Sequence, residues 1–145
     1  MDKLTLKYGK TSVSFSFKNE YYEILKAAKI EPLSDPEQYL ASIIDNPSGF
    51  RTFDQIFSAD DRILIVASDI TRSTGAKYFL PILLQRLNKA GILDAQISIL
   101  FALGIHRGLT GTERKAIVGE EVARRIAMLD HDPDNRDQME YIGET

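Results

Sequence analysis

The sequence predicts the α/β class, with a Rossmann-like parallel βαβ core behind an N-terminal antiparallel β-hairpin, and three observations carry that reading. First, two apolar runs, Arg62-Ile-Leu-Ile-Val-Ala-Ser68 and Gln96-Ile-Ser-Ile-Leu-Phe-Ala102, flank a segment of helical spacing. A crossover of that length between buried strands favours parallel pairing. Second, Leu4, Leu6 and Tyr8 alternate with polar residues, as do Val13, Phe15 and Phe17, about a Gly9-Lys10 corner. Third, each apolar run ends in residues that carry chemistry, Asp69-Ile-Thr-Arg72 after one and Leu103-Gly-Ile-His-Arg107 after the other. Open parallel sheets gather ligands at the carboxyl ends of their strands, so acid, hydroxyl, guanidinium and imidazole are expected along one rim.

Along the chain, the alternating pairs predict a hairpin with one buried face. Signals from Asn19 to Pro36 are mixed, with Pro32 and Pro36 interrupting any helix. Asp35-Pro-Glu-Gln38 offers a cap and a first-turn proline for a helix through about Asp45, and Asn46-Pro-Ser-Gly49 marks a turn. Phe53, Ile56 and Phe57 are spaced for one helical turn. Residues 62–68 read as a buried strand. After Ser73-Thr-Gly75, Phe79, Leu80, Leu83, Leu84 and Leu87 line one side of a helix, with Pro81 early in it or at a kink and Gly91 as its cap. The second buried strand spans about 96–102. Thr110-Gly-Thr-Glu113 has the spacing of a capping box before a helix through about Ala127, and Met128-Leu129 begins a short third strand ending at Asp130-His-Asp132. Tyr141-Ile-Gly-Glu-Thr145 reads as the entrance to a further turn. No repeat, low-complexity tract or convincing linker interrupts the chain, and 145 residues fit one globular unit.

Composition narrows the function classes. The absence of cysteine removes disulfides, thiolate nucleophiles and cysteine metal sites. A net charge of −3 provides no long-range attraction to nucleic acid or anionic membrane. The N-terminus lacks a continuous apolar stretch and no run reaches the length of a membrane span. The chain is therefore expected to be cytoplasmic, with neither nucleic acid nor membrane as a partner.

Asp69, Thr71 and Arg72 together make a candidate ligand clamp, a carboxylate for ribose hydroxyls and a fork for phosphate or carboxylate. Alternatively, Asp69 or Thr71 caps the following helix and Arg72 makes a surface ion pair. Gly104 permits a tight turn that presents His106 beside Arg107, and an imidazole can exchange a proton near neutral pH. A converging Arg107 would favour its neutral form. The alternative is a histidine bonded to a carbonyl or left in solvent. His131, between Asp130 and Asp132, reads as the cap of a strand end and the start of a turn rather than a metal ligand. Ser73-Thr-Gly-Ala-Lys77 lacks the P-loop order, and Gly104 to Gly111 makes no dinucleotide fingerprint. Glu120-Glu121 and Arg124-Arg125 are spaced for solvated ion pairs on a helix.

Read in order, Tyr8-Gly9, Asp45-Asn-Pro47, Asp69-Ile-Thr-Arg72, Ala102-Leu-Gly-Ile-His-Arg107 with Thr110 and Glu113, His131-Asp132 and Ile142-Gly-Glu-Thr145 make a specific set. With these motifs the chain resembles the nickel-dependent lactate racemases and related 2-hydroxyacid racemases and epimerases. The resemblance covers nearly the whole chain. It implies a two-domain α/β isomerase holding a nickel pincer nucleotide between its domains, with hydride leaving the substrate Cα and returning to the other face. By resemblance, His106 matches one of two histidines that remove and return the hydroxyl proton, and Arg72 lies near both substrate and cofactor. Asp69, Thr71 and Arg72 are then the cofactor-binding residues, His106 and Arg72 the catalytic ones, and Arg72 and Arg107 the substrate-binding ones.

The same resemblance implies what these residues lack. In the family, the cofactor-bearing lysine, the nickel-ligating histidine and the second acid/base histidine lie downstream of a segment like Gly143-Glu-Thr145. No residue here is assigned to the metal. Residues 1–145 are thus expected to be a partial N-terminal domain, completed by a C-terminal region or a second chain and inactive alone, with exposed apolar surface favouring a homo-oligomer. Ser73 and Ile105 stand where the family usually places proline and threonine. A non-catalytic anion- or nucleotide-binding module and a structural or oligomerisation domain are the competing expectations.

Overall fold

The computed structural model describes residues 2–17, 23, 25–49, 51–72, 74–141 and 143. It divides into two units, Met1–Leu33 and Ser34–Thr145. In the first, β1 (Asp2–Tyr8) and β2 (Thr11–Phe17) pair antiparallel with Tyr8 opposite Thr11. Gly9 opens the two-residue loop at φ 57, where a type II′ turn requires a positive angle. The register sets Leu4 opposite Phe15 and Leu6 opposite Val13, so the apolar residues share one face as the alternation predicts. That face is not buried: Leu6 is 50% exposed and Val13 40%. A two-stranded ribbon has no second layer of its own to cover it. Of the mixed stretch after it, residues 19–22 and 24 lie outside the described residues, as do 142, 144 and 145 of the expected terminal turn.

The second unit is layered. Helix α1 (Pro36–Asp45) starts where the proline and acid predict, with the Asp35 carboxylate accepting from the Gln38 amide at 2.9 Å. A single turn, α2 (Phe53–Ile56), brings the Phe53 and Phe57 rings to a centroid distance of 4.6 Å. Then follow β3 (Ile63–Ser68), α3 (Ala76–Lys89), β4 (Ile97–Ala102), α4 (Gly111–Val118), α5 (Glu120–Arg125) and β5 (Ala127–Asp130). The strands form one parallel sheet in the order β3-β4-β5, with Ile65 beside Ile99 and Ile99 beside Met128. Leu80, Leu84 and Leu87 of α3 and Val118 and Val122 of α4 and α5 pack with Ile97, Ile99 and Phe101 to make the core.

The second unit departs from expectation in two places. The predicted buried strand is covered on one side only: Ala67 is buried, whereas Leu64 is 56% and Val66 63% exposed. Helices α3 to α5 pack on a single face, and an apolar run does not say which of its two faces has a neighbour. The helix predicted from Thr110 to about Ala127 is two helices, broken at Gly119, whose φ of 88 lies outside helical space and whose amide caps α4 through the Lys115 carbonyl at 2.8 Å. Ala127 belongs to β5. Pro81 lies inside α3. Among the described residues no helix is long and apolar enough to cross a membrane.

Candidate functional site

Because the three strands are parallel, their carboxyl ends share one rim, and Ser68 and Ala102 are the last paired residues of β3 and β4. Asp69 follows immediately, 5% exposed. Its Oδ1 accepts from the Thr71 amide at 3.0 Å and the Thr71 hydroxyl at 2.6 Å, while the Arg72 amide donates to the Asp69 carbonyl at 3.2 Å. This is an Asx-type turn. The carboxylate thus organises its own loop and does not cap α3, whose N-cap is Gly75 and which has no side-chain cap.

From β4 the chain turns through Gly104, at φ 58, and the His106 amide donates to the Leu103 carbonyl at 3.0 Å. That turn lays the half-exposed His106 imidazole against Asp69, Nδ1 to Oδ2. Both Asp69 oxygens are then engaged. The Thr71 hydroxyl first, and His106 second, hold the Asp69 carboxyl below the usual carboxylate range.

Arg72 sits differently from its neighbours: its guanidinium has no hydrogen bond or ion pair among the described residues. It lines two hollows. The larger, about 420 Å³, is bounded by Ser68, Asp69, Arg72, Gly104, Ile105 and His106. The smaller, about 80 Å³, lies between Asp69, Arg72, Gly75 and Lys77 on one side and Ala116 and Ile117 of α4 on the other. Arg72 and His106 therefore border one small-molecule-sized space.

Arg107 is committed elsewhere. Its guanidinium clamps Glu113 in two bonds of 2.7 and 2.9 Å and also donates to the Gly108 carbonyl at 2.8 Å. Glu113 in turn accepts from the Thr110 amide at 2.8 Å while its own amide donates to the Thr110 hydroxyl at 3.2 Å, the predicted capping box. Arg107 first and the Thr110 amide second lower the Glu113 carboxyl to about 2. The loop is also tied to β5, whose Asp130 accepts from the Leu109 amide and pairs with Arg114, each at 2.9 Å. A Cβ at Gly108 would approach Asp130 Oδ2 to 3.1 Å.

His106, Arg107, Asp130, His131 and Asp132 border a third hollow of about 550 Å³. Asp132 caps the turn after β5 by accepting from the Asp134 amide at 3.1 Å, as the strand-end reading expects. Among the described residues no group of three or more His, Cys, Asp or Glu side chains is placed to hold a metal ion. The Asp69–His106 bridge and the tie from Asp130 to the loop were not legible in sequence. The available signal was that Asp69 and His106 both stand just beyond paired ends of adjacent strands.

Residues 8–145 match the model of the family described as the lactate racemase N-terminal domain. The chain belongs to that family. It is 30% identical to the lactate racemase of Thermoanaerobacterium thermosaccharolyticum over 146 residues, 99% of this chain and 34% of that relative. It is 28% identical to the lactate racemase of Lactiplantibacillus plantarum over 147 residues, with the same shares. The solved apoprotein of the Thermoanaerobacterium lactate racemase superposes with a TM-score of 0.76 at 28% identity, covering 98% of this chain and 33% of that one. A Thermotoga maritima protein shares the fold at a TM-score of 0.54 and 19% identity, over 77% of this chain and 24% of its own. The family resemblance read from the motifs is thus borne out, and the α/β fold with it. The chain spans about a third of the length of the curated relatives it matches.

Proposed function

We propose that this chain is the cofactor- and substrate-side domain of a 2-hydroxyacid racemase or epimerase, in which His106 moves the hydroxyl proton and Arg72 holds the carboxylate. One observation carries the reading: His106, its imidazole fixed at one nitrogen, and Arg72, its guanidinium unpaired among the described residues, line the same hollow at the carboxyl ends of β3 and β4. A 2-hydroxyacid presents the groups such a pair would bind, a carboxylate for the planar fork and a hydroxyl for the imidazole. The relatives named lactate racemases make lactate the first substrate to test. Because they are about three times as long, the reaction is assigned to this domain together with a further region or a second chain.

The resemblance also brings a nickel pincer nucleotide into the proposal, and the residues present fit its nucleotide end better than its metal end. Arg72 and Lys77 border the small hollow beside the amino end of α3, where a phosphate would meet positive charge and uncapped amides. Thr71 stands on the same loop. Both Asp69 oxygens already accept hydrogen bonds within the protein, two on Oδ1 and one on Oδ2, which leaves one acceptor position on Oδ2 for a ribose hydroxyl. Metal ligands would have to come from elsewhere. When bound, the cofactor would supply the acceptor and donor for the hydride of the substrate Cα.

The chain's own part is binding and proton transfer. Arg72 orients the carboxylate, which fixes where the hydroxyl lies. His106 takes the hydroxyl proton as the substrate carbon becomes trigonal, keeps it, and returns it when the alcohol re-forms. In the cofactor-loaded protein, His106→Ala is expected to slow interconversion of D- and L-lactate by about 10²-fold or more. Unchanged rates would eliminate the role.

A further inference from the structure

We infer that Asp69 is the positioning residue for His106: it holds the Nδ1 hydrogen, sets the imidazole tautomer, and leaves Nε2 as the nitrogen that exchanges the substrate proton, an assignment that rests on the acid/base reading above. It gives Asp69 a role beside the nucleotide-gripping one expected from resemblance. An ionised carboxylate only accepts hydrogen bonds, so the nitrogen facing Oδ2 must carry a hydrogen. In a neutral imidazole the other nitrogen is then bare and basic.

The carboxylate is itself immobilised. Oδ1 is pinned by the backbone amide and hydroxyl of Thr71, and the turn is closed by the Arg72 amide on the Asp69 carbonyl. Burial to 5% keeps water from competing for Oδ2. His106, by contrast, is half-exposed and borders the hollow. The acid is thereby placed behind the imidazole, held by the protein, while the ring remains open to a ligand. Histidines oriented by a carboxylate in this way are a recurrent device for fixing which nitrogen reacts.

Asp69→Asn tests the assignment. The Thr71 amide is a fixed donor at the Oδ1 position, so asparagine must place its oxygen there and its amino group towards His106. That reverses the hydrogen bond and forces the Nε2–H tautomer. Nitrogen-15 NMR of the full chain should show His106 mainly as the Nδ1–H form in the wild type and mainly as Nε2–H in Asp69→Asn. In the cofactor-loaded protein the variant should lose roughly 10²-fold or more in kcat with little change in KM for lactate, and Asp69→Glu should restore part of it.

A wild-type His106 found in the Nε2–H form would overturn the assignment without any variant having to fold. So would a folded Asp69→Asn with its tautomer unchanged. The acid/base reading fails separately, through a His106→Ala protein that racemises at the wild-type rate, whatever the tautomer.

Discussion

Arg107 and Glu113 show how a residue expected to bind substrate can be held in a structural pair. The pair is bidentate and sits on the capping box that starts α4, so charge, cap and loop are one unit. Glu113 has a folded value of about 2 against an ordinary 4.5. A depressed carboxyl contributes stability that is complete above its unfolded value and is lost as pH falls through its folded value. Acid titration of unfolding should therefore show a loss between about pH 4.5 and 2 that Glu113→Gln lacks. Identical acid limbs for both proteins would refute this. Sequence singled out His106, Arg107 and Arg72 because each follows a strand end. It could not show that Arg107 is spoken for, because Glu113 was already accounted for as a cap. Arg125 is similar: its i,i+4 partner Glu121 was legible at 2.9 Å, whereas Asp94 and Asn88, bound at 2.9 and 2.7 Å, lie more than thirty positions away.

Elements whose ends carry specific chemistry were read well. Helix α1 begins at the acid-proline signal, and α3 ends in a Schellman motif, the Ile92 amide reaching the Leu87 carbonyl at 3.1 Å and the Gly91 amide the Asn88 carbonyl at 3.0 Å. Gly91 is required there twice over. Its φ is 93, and a Cβ would come within 2.9 Å of the Ala59 Cβ, which has no flexible end to swing away. Gly91→Ala is expected to lower stability by about 1–3 kcal/mol, read as a lower denaturant midpoint at unchanged slope; an unchanged midpoint would contradict this. Gly119, by contrast, was invisible as a break, since the capping box before it and the paired charges after it both favour helix. Alternation in β1 and β2 gave pairing and register but not burial, which depends on a second layer that local pattern does not encode.

Across the whole of the second unit, parallel order matters most, since it puts every strand's carboxyl end on one rim and makes loops distant in sequence into neighbours. Asp69 and His106 are 37 residues apart yet bonded. The parallel pairing of β3 with β4 and their shared rim were legible from two apolar runs separated by a helix. One-sided burial was not, and it leaves Leu64, Val66 and Leu129 exposed on the face opposite the helices. The proposal for function stands on that rim, where β3 would contribute the anion-binding fork and β4 the proton carrier to one hollow. It can be observed directly by side-chain NMR of the cofactor-loaded protein titrated with lactate. The signals of the His106 imidazole and the Arg72 guanidinium should move together along one saturation curve with a single midpoint. Movement of only one, or two separate midpoints, would contradict it.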